Sequence, residues 1–160
     1  MTDYARLLRV LVESGTEFVL IGGIAASVHG SARATYDVDI VYSRAPENIA
    51  RLVAALAPLD PYLRGAPPGL PFTWDAATVS RGLNFTLTTT AGDLDVLGEI
   101  TLGGTYETLL PHTEIVQVFG IECRCLSLER LIAVKRATGR PKDRESLAEL
   151  EALLEERERH

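Results

Sequence analysis

Asp37 and Asp39 stand at alternate positions of an apolar run, Asp37-Val38-Asp39-Ile40-Val41. On a strand, residues i and i+2 share a face and lie about 7 Å apart along the chain. Two carboxylates that close repel each other unless a cation lies between them. A hard divalent ion such as Mg²⁺ meets that need, because it takes one or two carboxylates together with a substrate's phosphate oxygens. Upstream, the apolar residues Phe18, Val19, Leu20 and Ile21 run into Gly22-Gly23, and the small-residue segment that follows reads as a short helix to His29. A glycine-bearing turn into a helix N-terminus offers free N–H groups and a positive dipole end to an anion. The missing Cβ lets that anion come close. Phosphate at one end and metal at the other is the layout of a nucleotide site. Each half alone has a plainer reading: a Gly-Gly pair is most often a turn, and D-x-D on a strand is often a solvated edge. Their order within one strand–helix–strand unit gives the combination its weight.

The elements that must hold these residues follow from periodicity. Residues 3–14 place Leu7, Leu8, Val10, Leu11 and Val12 at helical spacing, with Gly15 as the stop. Strands are expected at 17–21 and 35–42. A helix opens at Ala45-Pro46-Glu47 and runs to about Leu59, with Ile49, Leu52, Val53 and Leu56 as its buried stripe. Residues 58–71 carry too many prolines for a helix or a central strand. They read as a surface loop, either a lid over substrate or a plain connector, and 72–80 is ambiguous. Residues 83–89 alternate as a strand and pair in a hairpin with 93–98, which again has acids at i and i+2, Asp93 and Asp95. A short helix at 106–110 precedes a second hairpin, 114–119 and 121–126 around Gly120. Ser127 N-caps a helix over 128–138 that ends at Gly139. Pro141 starts a last amphipathic helix with Leu147, Leu150, Leu153 and Leu154 on its buried face.

A chain of 160 residues with 46% hydrophobic content favours a single domain over 1–160 with a sizeable core. No stretch approaches the ~20 apolar residues of a membrane span. The N-terminus has no secretory pattern, so the cytoplasm is the default compartment and no membrane partner is expected. Cys123 and Cys125, two apart on a strand, are poorly placed to bridge each other and read as small buried side chains. Net charge is −6, so any nucleic-acid contact needs a local basic patch. His29, His112 and His160 lack metal-ligand spacing, and no Walker A, G-x-G-x-x-G or G-x-S-x-G motif is present.

The text GGIAASVHGSARATYDVDI resembles the nucleotidyltransferase signature of the DNA polymerase β superfamily. It is most similar to the small bacterial members that include AbiE-type toxins and minimal nucleotidyltransferases. The likeness extends through LDVLGEI and SLERLIAVKRATGRPKDRESL, and so covers roughly residues 18–150. It implies an α/β (α+β) nucleotidyltransferase fold, a small mixed sheet with helices packed on it. It also implies transfer of NMP from an NTP to an acceptor hydroxyl. By the same resemblance Asp37, Asp39 and a third aspartate hold two Mg²⁺ ions, with Mn²⁺ as a substitute, and serve as catalytic and metal residues. Asp95, flanked by Leu94 and Val96, matches the third aspartate better than Asp93 beside Gly92. Gly22, Gly23, Lys135 and Lys142 of the Lys142-Asp143 pair fall on nucleotide-binding positions, and Lys135 suits a triphosphate as a point charge. Many relatives have Ser after the first glycine; with Gly23 there, backbone or Ser27 must serve instead.

Arg136, Arg140, Lys142 and Arg144 form a local basic cluster, which suits either phosphates or the cationic end of a helix. The biological setting implied is a toxin–antitoxin or phage-defence component acting on a tRNA 3′ end or a protein. Two alternatives stand beside it. One is a non-catalytic antitoxin or binding partner of a cognate chain. The other is an aminoglycoside-type enzyme with a small acceptor, which the acidic surface suits.

Overall fold

The computed structural model describes residues 2–159, the side chain of Lys142 excepted; His160 also lies outside the described residues. Seven strands form one mixed sheet: β1 Phe18–Ile21, β2 Asp37–Tyr42, β3 Tyr62–Leu63, β4 Asn84–Thr89, β5 Gly92–Leu97, β6 Thr113–Val118 and β7 Ile121–Leu126. Their spatial order is β3-β4-β5-β2-β1-β7-β6. The helices are α1 Tyr4–Glu13, α2 Gly22–Val28, α3 Pro46–Leu56, α4 Ala76–Arg81, α5 Tyr106–Leu109, α6 Leu128–Thr138 and α7 Arg144–Glu158. This is the mixed sheet with packed helices that the sequence leads one to expect.

One sheet face is apolar. Leu20 lies opposite Ile40, while Val38 and Ile40 face Leu94 and Val96, which face Leu87 and Phe85 in turn. These side chains join one buried cluster with Leu7, Leu8 and Leu11 of α1, Ile49, Leu52 and Leu56 of α3, and Val79 of α4. Because side chains alternate along a strand, the residues between them must face the other way. On that other face stand Asp37 and Asp39 of β2, Asp93 and Asp95 of β5, and Thr86 and Thr88 of β4. Hydrophobic burial thus fixes where the carboxylates point.

The caps agree with the sequence. Ser127 accepts a hydrogen bond from the Arg130 N–H at 3.2 Å, and Gly139 closes α6 at φ +65°. Cys123 and Cys125 are free and buried, and burial pushes their thiols up to about 11 and about 12. His29 is a buried structural residue, its Nε2 2.8 Å from the Leu126 carbonyl and its Nδ1 3.2 Å from Arg157.

The proline-rich stretch is the expected loop over residues 64–71 and departs from it before that. Ala57–Leu59 is a 3₁₀ turn, and Tyr62–Leu63 add an edge strand to β4. An edge position tolerates the flanking prolines, because the missing N–H groups take nothing from a central ladder. The ambiguous 72–80 region contains α4, capped by Asp75. No helix among the described residues is long and apolar enough to cross a membrane.

Candidate active site

Register brings the acids together. β2 and β5 run parallel with Asp37 against Asp93 and Asp39 against Asp95. Asp37, Asp39 and Asp95 each present an oxygen, and those oxygens lie within 4.8 Å of one another. The parallel pairing therefore selects Asp95 as the neighbour of Asp39, while Asp93 sits one step out beside Asp37.

Crowding leaves its mark on the ionisation. Burial, the hydrogen-bonded carboxyl of Asp95, and the charges of Asp37 and Asp95 push Asp39 up to about 8; Arg64 pulls the other way. Asp37 is also raised, first by burial and then by Asp95, against a lowering pull from Arg64. Three converging carboxylates, all of them oxygen donors, one resisting ionisation at neutral pH, fit a hard divalent cation. Asp95 Oδ1 adds to that fit: it is buried and has no hydrogen-bond partner among the described residues.

The glycine pair sits against this cluster. Gly22 begins α2 at φ +69°, and a Cβ on it would come within 2.1 Å of Asp39 Oδ2. Only glycine lets the helix start and the carboxylate approach this closely. Among the described residues no side chain caps α2. At Gly23 a Cβ would meet Thr35 Oγ1 at 2.5 Å. That gives a physical reason for the missing serine, since Thr35 fills its place and brings a hydroxyl of its own. Ser27 is not drawn into the site; it is exposed and its hydroxyl donates to the Gly23 carbonyl at 3.0 Å.

Two clefts meet at Gly22 and Lys135. One, of about 200 Å³, lies between α2, Arg33–Thr35 and the helices α6 and α7. The other, of about 630 Å³, takes in Asp39, Asp95, Asn84, Glu99, Lys135, Arg140 and Asp143. Lys135 Nζ is 3.5 Å from Asp143 Oδ1, and Arg140 Nε donates to Asp143 Oδ2 at 2.7 Å. Burial opposes ionisation of Asp143, but the Arg140 hydrogen bond and the Lys135 charge hold its carboxyl below the usual range. Two members of the basic cluster are therefore already paired, Arg140 with Asp143 and Arg136 with Glu151 at 3.6 Å.

Two groups escaped sequence reasoning. Arg64, just past β3, contacts Asp37, Asp93 and Asp95 at 3.6, 3.5 and 2.9 Å. Asp143 was legible only as half of a Lys-Asp pair, with no sign that it braces Lys135.

No family model matches the sequence, and no curated protein matches it. Solved structures do. The lincosamide antibiotic adenylyltransferase LnuA, solved with lincomycin bound, superposes with a TM-score of 0.62 at 13% identity, over 95% of this chain and 98% of that one. The antibiotic-resistance factor ANT(2″)-Ia, in complex with adenylyl-2″-tobramycin, gives 0.59 at 14% identity over 92% and 84%. A Thermotoga maritima protein provisionally assigned as a nucleotidyltransferase gives 0.58 at 16% identity over 93% and 94%. At these identities the likeness is one of fold: the chain has the nucleotidyltransferase fold.

Proposed function

We propose that this chain is a single-domain nucleotidyltransferase of the cytoplasm that moves NMP from an NTP to an acceptor hydroxyl and releases pyrophosphate. The observation that carries the reading is the convergence of Asp37, Asp39 and Asp95 within 4.8 Å, on a nucleotidyltransferase fold. Asp37, Asp39 and Asp95 would hold the divalent ions, two Mg²⁺ or Mn²⁺, whose chemistry is to stabilise the charge on the attacking and leaving oxygens. Asp95, beside Asp39 and open to the larger cleft, takes the proton of the acceptor hydroxyl. The backbone N–H groups at Gly22 and Gly23 face the triphosphate, with the Thr35 hydroxyl beside them. Lys135 lines both clefts and adds a positive charge there, braced by Asp143. Lys142 belongs to the same nucleotide-binding set by sequence resemblance.

For the acceptor, the sequence resemblance points to a tRNA 3′ end or a protein, in a toxin–antitoxin or phage-defence setting with a cognate chain. The cleft favours a second reading. Asp39, Asp95, Glu99 and Asp143 line it, and Lys135 and Arg140 are paired with Asp143. Such a wall holds a small cationic hydroxyl compound better than a polyanion. Two of the similar structures are antibiotic-modifying adenylyltransferases, in keeping with this reading.

The test is an incubation with each α-labelled NTP and Mg²⁺ or Mn²⁺, with total tRNA, the protein alone, or a panel of aminoglycosides and lincosamides. Label is expected on one acceptor class, and lost when Asp37 or Asp39 is replaced by Asn. Nucleotide binding without transfer to any acceptor would instead identify a non-catalytic binding partner.

A further inference from the structure

The carboxylates stand in rows across the sheet. Asp39, Asp95 and Thr86 occupy neighbouring positions on β2, β5 and β4, and Asp37, Asp93 and Thr88 form the next row. The second row continues to Tyr62 on β3. The Arg64 N–H donates to the Thr86 carbonyl at 2.9 Å, so Arg64 ends the first row. Its side chain reaches over the threonines to three of the four acids.

What holds the guanidinium there is not the acids alone. Nη2 donates to the Leu87 carbonyl at 2.7 Å, which anchors it to the β4 backbone. The same Nη2 stands 2.9 Å from Asp95 Oδ1, yet that oxygen and Arg64 Nε are buried without a hydrogen bond among the described residues. Charge is matched at Asp95 while its hydrogen-bonding capacity is left open. A guanidinium normally takes a carboxylate through two parallel bonds. Here it supplies field without closing the ligand. Asp39 is not among its contacts.

We propose that Arg64 is a positioning residue that sets the affinity of the Asp37/Asp39/Asp95 cluster for divalent cations. It supplies a standing positive charge that holds three of the four crowded acids, Asp37, Asp93 and Asp95, in place without metal. The same charge weakens the cluster's hold on a free ion, so the ion is taken up together with the triphosphate rather than alone. This inference rests on the metal site of the proposed function.

The experiment is a Mn²⁺ titration of the nucleotide-free protein, followed by the electron-paramagnetic-resonance signal of the free ion. Removing a unit charge in contact with the ligands of a divalent ion should tighten binding by about tenfold even after screening. Arg64→Gln is therefore expected to bind Mn²⁺ about tenfold more tightly than wild type. Arg64→Lys keeps the charge and should stay within about threefold of wild type. Equal affinities for wild type and Arg64→Gln, or tight binding by Arg64→Lys, would overturn the inference and leave the metal site standing. No Mn²⁺ binding to any form, with or without NTP, would remove the metal site and this inference with it. If Arg64→Gln does not fold, the arginine ¹H–¹⁵Nε signals of wild type carry the test, with Arg64→Lys assigning the Arg64 signal. That signal should shift as Mg²⁺ is added; a signal that stays in place at saturation would overturn the inference.

Discussion

Replacing Asp39 by Asn should destroy the site and stabilise the metal-free protein. Asp39 is pushed up to about 8 by burial and by the carboxyls of Asp95 and Asp37. In the unfolded chain it would ionise at its ordinary value, near 4. Between those values the folded protein binds the extra proton, so stability falls as pH rises from about 4 to about 8 and then levels off. Each tenfold change in proton affinity is worth about 1.4 kcal/mol, which sets a ceiling of roughly 5–6 kcal/mol. Water and neighbouring groups relax around an ionised carboxyl, so a realistic cost is about 2 kcal/mol. Asn carries no such cost. At pH 9 with chelator present, Asp39→Asn should melt about 5 °C above wild type for a chain of this size. At pH 4 the two should melt together. Scanning calorimetry across pH 4–9 reads both numbers. Replacing the chelator with Mn²⁺ and a non-hydrolysable NTP analogue should raise the wild-type midpoint and leave the variant unmoved. A variant less stable than wild type at pH 9 would refute the electrostatic reasoning, because Asp39 would then be held by favourable contacts rather than crowded by like charges.

Three further outcomes follow from named contacts. Gly22→Ala sets a Cβ 2.1 Å from Asp39 Oδ2 at φ +69°; transfer should fall at least about tenfold and stability by about 1–3 kcal/mol, read by activity assay and urea melts. Asp143→Asn releases Lys135 and Arg140; initial-rate kinetics should show KM for NTP rising by about threefold or more with a smaller change in kcat, the pattern of lost ground-state binding. Asn48 is 1% exposed, donates to the Glu17 and Ser43 carbonyls and accepts from the Glu17 N–H. Asn48→Ala leaves those backbone groups unpaired and should cost about 2–3 kcal/mol in a denaturant melt.

The sequence carried the site's local grammar. Alternation along β2 and β5 put Asp37, Asp39, Asp93 and Asp95 on the face opposite Val38, Ile40, Leu94 and Val96, because burial of one face fixes the other. Ser127 and Gly139 marked the ends of α6 by their capping chemistry. What it could not carry was pairing between distant strands. Family resemblance favoured Asp95 over Asp93, but the physical reason, the register that sets Asp95 beside Asp39, is one that no local pattern encodes. Arg64 was hidden for a related reason. Its stretch is broken by prolines and has no period, and its role appears only when β3 joins the sheet edge and aims it across β4. Thr35 stands within the motif, but its packing against Gly23 is a tertiary fact.

The most direct measurement is anomalous diffraction from crystals grown with Mn²⁺ and a non-hydrolysable NTP analogue. The proposed site predicts at least one anomalous peak among the carboxylates of Asp37, Asp39 and Asp95, with the triphosphate running toward Gly22 and Lys135. A nucleotide bound elsewhere, or Mn²⁺ peaks that avoid these three residues, would contradict it.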